Sequence, residues 1–132
     1  MIDRVKAPEC VENIALVKDF IAAIMRNEKA EILAFFAEQA CYHNIPMEPR
    51  QGREEIWQEL SIIHSLASAI DWQLHHIGSG EGGCVFTERS DRYQVRGQWV
   101  SFKVMGIFEI VDGRIMHWRD YFDLQQCMQQ LS

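Results

Sequence analysis

The sequence lacks a long apolar run, an excess of positive charge and the common motifs of metal, nucleotide and acyl-transfer chemistry. Its apolar run at residues 21–25 is far too short to span a bilayer, which takes about 20 residues. Residues 1–10 carry charged side chains and no apolar segment, so we expect no secretory signal. With 132 residues, the chain has room for a single domain, residues 1–132, and none for the larger hydrolase folds.

Positive charge is scarce. The chain has 13 Lys and Arg residues against 19 Asp and Glu residues, which gives a net charge of −6. An acidic domain is a poor candidate for binding nucleic acid or an anionic membrane, so we expect neither partner. The four cysteines contain no CxxC pair, which argues against a zinc ribbon or a thioredoxin motif. Cysteines scattered in this way are typical of reduced thiols, and we expect a cytoplasmic protein.

Catalytic signatures are equally scarce. The sequence has no HExxH or comparable metal spacing, and no GxSxG, P-loop or GxGxxG. Serine-elbow acyl transfer, phosphate cradling and dinucleotide binding therefore have no support. Aromatic residues, by contrast, make up 11% of the chain and include four tryptophans. They indicate a large apolar volume, which is either a filled core or the lining of a cavity.

The order of predicted elements indicates an α+β fold. Apolar periodicity predicts helices over residues 11–26, about 29–38 and about 53–67, and a short strand over 40–45. Four more strands and a terminal helix follow, at residues 71–77, 84–94, 98–110, 114–123 and 124–131. Asp112-Gly113 is a strong hairpin signal. Helices first and strands last predict helices packed on one face of a curved, mostly antiparallel sheet.

The last predicted strand carries a carboxylate where an apolar residue is expected. Met116, Trp118, Asp120 and Phe122 share a face by the two-residue period of a strand. A buried, unpaired carboxylate is costly, so Asp120 needs a partner. There are two other interpretations of Asp120. It is either paired with an Arg for structure alone, or it lies at a strand end in solvent.

The strand predicted over 84–94 shows a second charged pattern. Val85, Thr87, Arg89 and Asp91 share one face. The planar guanidinium of Arg89 offers donors to two carboxylates at once. A solvated surface pair is the alternative interpretation of Arg89 and Asp91.

The early strand contributes neutral polar groups. Tyr42 and Asn44 share a face, and a phenol and an amide together hold one water from two directions. Ordinary strand-end residues are the alternative here.

Four stretches of the chain resemble the limonene-1,2-epoxide hydrolase family. They are Tyr-His-Asn-Ile-Pro at 42–46, His-Ile-Gly-Ser at 76–79, Thr-Glu-Arg-Ser-Asp at 87–91, and Gly-Arg-Ile-Met-His-Trp-Arg-Asp-Tyr-Phe-Asp-Leu at 113–124. The resemblance runs over about residues 11–126, and the spacing of the stretches matches as well as their residues.

The resemblance implies a nuclear transport factor 2-like (NTF2-like) cone around a deep pocket, a homodimer, and epoxide hydrolysis without a metal or organic cofactor. It implies Asp120 as general base, with Tyr42 and Asn44 helping to hold the attacking water. Asp91 is then the general acid, and Arg89 bridges the two carboxylates. The expected substrates are water and a small hydrophobic epoxide, cyclic or terpene-like, which becomes a vicinal diol.

Two other functions remain open at this level. An isomerase or cyclase of the same fold would use Asp120 to move a proton at carbon, since a fold does not dictate its chemistry. A non-catalytic module would bind a small ligand and release it unchanged.

Overall fold

A computed structural model describes residues 7–132 of the chain. Its helices are α1 (Ala7–Arg26), α2 (Lys29–Leu33), α3 (Arg53–His64) and α4 (Leu124–Leu131). Its strands are β1 (Phe36–Asn44), β2 (Arg50–Gln51), β3 (Ala67–Ser79), β4 (Val85–Val95), β5 (Gln98–Val111) and β6 (Arg114–Tyr121). None of the helices in this part of the chain is long and apolar enough to cross a membrane. The expectation about a secretory signal falls largely on residues outside it.

The six strands form one open mixed sheet in the order β2-β1-β6-β5-β4-β3. Only the β1–β6 pairing is parallel among the strand pairs described, and the others are antiparallel. Helix α1 packs on β3 and β4, α3 on β1, and α4 on β5. The predicted α+β class, with helices on a mostly antiparallel sheet, is confirmed.

Two tight hairpins align the strands that carry the charged residues. Arg96 and Gly97 have φ of 52° and 77°, and Asp112 and Gly113 have φ of 51° and 74°. Two consecutive positive φ values belong to the turn that matches the twist of a hairpin. Strands β4, β5 and β6 therefore form a meander, in which alternate side chains of all three face the same interior.

The second predicted helix is too long, because the helix ends at Leu33 and a strand begins at Phe36 rather than after residue 38. Phe36 is fully buried opposite Ile115 of β6, so sheet pairing overrides the helical periodicity. The third helix is also shorter than predicted. It ends at His64, and the chain enters β3 at Ala67.

A β-bulge in β6 corrects the predicted face of that strand. Glu109 lies opposite His117 and Ile110 opposite Ile115, so Met116 is the extra residue. Ile115 becomes buried and Met116 does not, contrary to the simple alternation. The alternation resumes afterwards, and Trp118 and Asp120 are buried as predicted.

The tryptophans neither all fill the core nor all line a cavity. Trp118 is fully buried in an aromatic cluster with Phe20, edge to face at 5.2 Å between ring centroids. Trp72 is also buried and lines the cavity described below. Trp99 lies at the surface, with 43% of its area exposed.

Candidate active site

Three adjacent strands bring the charged residues together. The pattern of β4 alternates between buried and exposed, which turns Thr87, Arg89 and Asp91 inward. Gly106 of β5 lies opposite Thr87 on one side and Asp120 of β6 on the other. Because glycine has no side chain, groups from β4 and β6 meet above β5.

Arg89 bridges both carboxylates and uses all five of its N–H donors. Nη2 donates to Asp91 Oδ2 and to Asp120 Oδ2, both at 2.8 Å. Nε donates to Asp91 Oδ1 at 2.9 Å, and Nη1 to Thr87 Oγ1 at 2.9 Å and Asp120 Oδ1 at 3.3 Å. The guanidinium carbon lies 4.5 Å from the ring centroid of Trp72. Such a guanidinium is held rigidly, and its geometry fixes the separation of the two carboxylates.

The two carboxylates have different surroundings. Trp118 Nε1 donates to Asp120 Oδ1 at 2.7 Å, which gives Asp120 a further donor beside Arg89. Burial raises the pKa of Asp91 to about 6, against the opposing effect of Arg89, and the negative charge of Asp120 raises it further. Asp91 therefore stays protonated to a higher pH than an ordinary aspartate, up to about pH 6.

Tyr42 and Asn44 lie on β1, which pairs in parallel with β6, and they are therefore beside the Asp120 end of the site. Tyr42 lies opposite Trp118 and Asn44 opposite Asp120 in the strand register. The Tyr42 ring stacks on Trp118 with centroids 4.1 Å apart. Burial raises the pKa of Tyr42 well above its usual value, and the charge of Asp120 adds to this, against a hydrogen bond from Asn44. The phenol therefore keeps its proton and remains a donor.

These groups face a cavity of about 180 Å³ that opens to solvent. Four of the five residues expected from the sequence line it, and Arg89 bonds to two of those four. The remaining wall is largely apolar and comes from α3, β5, α4 and the segment before α4. Its apolar members include Leu60, Ile63, Phe102, Val104, Phe122, Leu124, Met128 and Leu131. The cavity combines an apolar chamber with one polar wall, as a small-molecule site does.

The profile of the limonene-1,2-epoxide hydrolase catalytic domain matches residues 11–132, nearly the whole chain. The chain belongs to the limonene-1,2-epoxide hydrolase family. The epoxide hydrolase EphG of Mycobacterium tuberculosis is 29% identical over 110 residues, which are 82% of this chain and 71% of EphG.

Solved structures place this family member in the NTF2/SnoaL-like fold. The structure of a Mycobacterium tuberculosis LEH-like epoxide hydrolase has a TM-score of 0.78 at 29% identity, over 92% of this chain and 90% of the other. A putative polyketide cyclase from Xanthomonas campestris pv. campestris also has a TM-score of 0.78, at 22% identity, over 94% and 99% of the two chains. The second likeness shows a shared fold only.

Three residues around Arg89 and Asp120 had no role assigned from the sequence. Thr87 and Trp118 hold Arg89 and Asp120 through the bonds given above. Gly106 is the third, because a Cβ there would lie 2.5 Å from Arg89 Nη1 and closer still to Asp120 Oδ1. A glycine inside the predicted strand 98–110 was the available signal, since such a glycine often marks a close approach.

A row of uncharged polar side chains, linked to one another by polar contacts, borders the cavity. His64 Nδ1 lies 3.1 Å from Asn27 Oδ1, and its Nε2 lies 3.5 Å from the Tyr93 hydroxyl. Trp72 Nε1 donates to that hydroxyl at 2.9 Å. Burial lowers the pKa of His64 to about 4, so the ring is neutral at neutral pH.

Within residues 7–132, no group of three or more His, Cys, Asp or Glu side chains is arranged to hold a metal ion.

Proposed function

We propose that this protein adds water to a small hydrophobic epoxide, cyclic or terpene-like, and releases a vicinal diol in one step without a cofactor. The observation that carries the proposal is the Arg89 bridge between Asp91 and Asp120 at the wall of an apolar cavity. Epoxide opening by water needs a base and an acid at the same time. Membership of the family supports this reaction class over others.

The reaction assigns one task to each polar group. Asp120, with Tyr42 and Asn44, holds a water and takes one of its protons as the oxygen attacks an epoxide carbon. The carbon–oxygen bond of the ring breaks, and the ring oxygen takes the proton of Asp91. Water exchange then returns a proton to Asp91 and removes one from Asp120.

The net charge of Arg89, Asp91 and Asp120 is the same before and after this step. Before reaction, one arginine cation faces the Asp120 anion and a neutral Asp91. Afterwards Asp120 is neutral and Asp91 is the anion, so the sum is zero in both states. Because Arg89 Nη2 contacts both carboxylates at 2.8 Å, the negative charge moves across a cation that already bonds to each position. No net charge has to be buried or released, which is the costly event in a low-dielectric site.

Hydrolysis in oxygen-18 water tests the reaction class. Incubation with a panel of epoxides, from small alkyl to terpene and steroid size, is expected to give diols that carry one label from water. A product without label would indicate an isomerase or cyclase, since a fold does not dictate its chemistry. Binding without turnover across the panel would indicate a ligand-binding module. Mass spectrometry of the products distinguishes the three.

We also propose that the protein is a cytoplasmic homodimer that meets its partner through the outer face of the sheet. Phe86, Met105 and Tyr121 expose 43%, 51% and 49% of their areas there. Neighbouring exposed apolar residues on one sheet face are typical of an interface. Light scattering is expected to give twice the 15.4 kDa chain mass, and a mass of one chain would contradict the dimer.

A further inference from the structure

Glu59 is a third buried carboxylate at the cavity, and the steps proposed above do not use it. It lies on α3, with 6% of its side chain exposed. Arg50 Nε donates to its Oε1 at 2.9 Å, and Asn44 Nδ2 donates to its Oε2 at 3.4 Å. One carboxylate therefore joins an arginine to the amide that is proposed to hold the attacking water.

A carboxylate sets the direction in which an asparagine amide points. A carboxylate has only acceptor atoms, and a guanidinium has only donors. Glu59, paired with Arg50, can receive only the N–H side of the Asn44 amide, because the opposite orientation would place two oxygens face to face. The Asn44 carbonyl oxygen is consequently turned away from Glu59.

We propose that Glu59 is a positioning residue that fixes the Asn44 amide so that its oxygen faces the attacking water, a role that rests on the proposed function. A water molecule has two hydrogens and two lone pairs. Asp120 accepts a hydrogen bond from one hydrogen, the Asn44 oxygen accepts one from the other, and the Tyr42 hydroxyl donates to one lone pair. The second lone pair stays free for the epoxide carbon. A reversed amide would donate to that lone pair and compete with the attack.

Glu59→Gln tests the inference because Arg50 determines how the new amide sits. Arg50 only donates, so it takes the Gln oxygen, and the Gln nitrogen then faces Asn44. Asn44 must reverse to accept from it. We expect kcat to fall about 10- to 100-fold while KM changes less than about threefold, since a nucleophile is misoriented and the substrate wall is intact.

A second substitution is expected to reverse the defect. In Glu59→Gln/Arg50→Met, the Gln amide is free to turn its oxygen to Asn44, which then regains its original orientation. We expect kcat to rise at least about fivefold over the single variant. A purely structural role for Glu59 predicts the opposite, because removing Arg50 as well takes away one more contact. A wild-type kcat in Glu59→Gln, or a double variant no faster than the single one, overturns the inference.

Two controls separate this role from the rest of the mechanism. Glu54→Gln changes an exposed carboxylate on the same helix and is expected to keep the wild-type kcat. Asn44→Ala tests the water-holding role itself. If wild-type protein turns over no epoxide, or Asn44→Ala keeps the wild-type kcat, the proposed function fails in that part. If Asn44→Ala is slow and Glu59→Gln is fast, only the role of Glu59 fails.

Neutron diffraction of the wild-type protein provides a test that needs no variant. Deuterium on the Asn44 atom that faces Glu59 is the expected result. An oxygen at that position would overturn the inference, whatever the stability of the variants.

Discussion

Replacing Asp120 with asparagine is expected to lower kcat by about 10³-fold. The amide keeps the shape of the carboxylate but cannot take a proton from water. A second effect adds to the first. The negative charge of Asp120 helps to raise the pKa of Asp91, so its removal lowers that pKa and leaves a smaller fraction of Asp91 protonated to act as the acid. Steady-state kinetics on an epoxide that the wild-type protein hydrolyses measures the loss, and a melting curve checks that the variant is folded.

Asp71→Asn is the matched control for this substitution. Asp71 also forms an ion pair with an arginine, at 2.8 Å from Arg92, but its side chain is 42% exposed on another part of the sheet. Ion pairs at the surface contribute about 0–1 kcal/mol, so stability and kcat should both stay close to wild type. Wild-type kcat in Asp120→Asn would contradict its role as the base.

The pH dependence distinguishes the base from the acid. In the wild-type protein, Asp91 must be protonated to act as an acid. Its pKa of about 6 therefore predicts that kcat/KM falls as pH rises above about 6. In Asp120→Asn the same limb is expected at lower pH, because the charge that helps to raise the pKa of Asp91 is gone. An unchanged limb in the variant would mean that Asp91 is not the group that titrates.

The sequence predicted which strand faces carry the charged residues, because strands and tight turns are local. The two-residue period of β4 placed Arg89 and Asp91 on one face, and the hairpin signal at Asp112-Gly113 placed β6 beside β5. Both features depend on neighbours in the chain, and the structure has both. The roles of the residues, in contrast, came from resemblance to a family.

What the sequence did not predict depends on distant contacts. The local apolar periodicity predicts that Phe36 belongs to a helix, but its pairing with the distant strand β6 makes it part of a strand. Strict alternation predicts that the Met116 side chain faces the interior, but the bulge where β6 pairs with β5 shifts it out of that alternation. The contact between Asn44 and Glu59 joins residues 15 positions apart on different elements, and no periodicity indicates it. Gly106 was visible as a glycine in a strand, but its importance depends on what lies on both sides of it.

Gly106→Ala is expected to be the most disruptive change at the site that adds only one methyl group. The φ of Gly106 lies outside the left-handed region, so the effect of the substitution is steric and not a matter of backbone strain. The new Cβ would lie 2.5 Å from Arg89 Nη1, closer to Asp120 Oδ1, and 3.2 Å from Thr87 Oγ1. These atoms cannot move aside independently, because Arg89 bonds to all three neighbouring side chains.

The carboxylate and guanidinium must therefore separate, which moves the proposed base away from its water. We expect kcat to fall at least about 100-fold, since small displacements of reacting groups have effects of this size. Overpacking is expected to cost about 1–3 kcal/mol of folding stability as well. Gly78→Ala in β3 is the control, because its Cβ would meet no heavy atom of the described residues within 4 Å. That variant should keep its kcat, and a Gly106→Ala protein as active as Gly78→Ala would show that the Arg89 bridge tolerates displacement and does not set the geometry of catalysis.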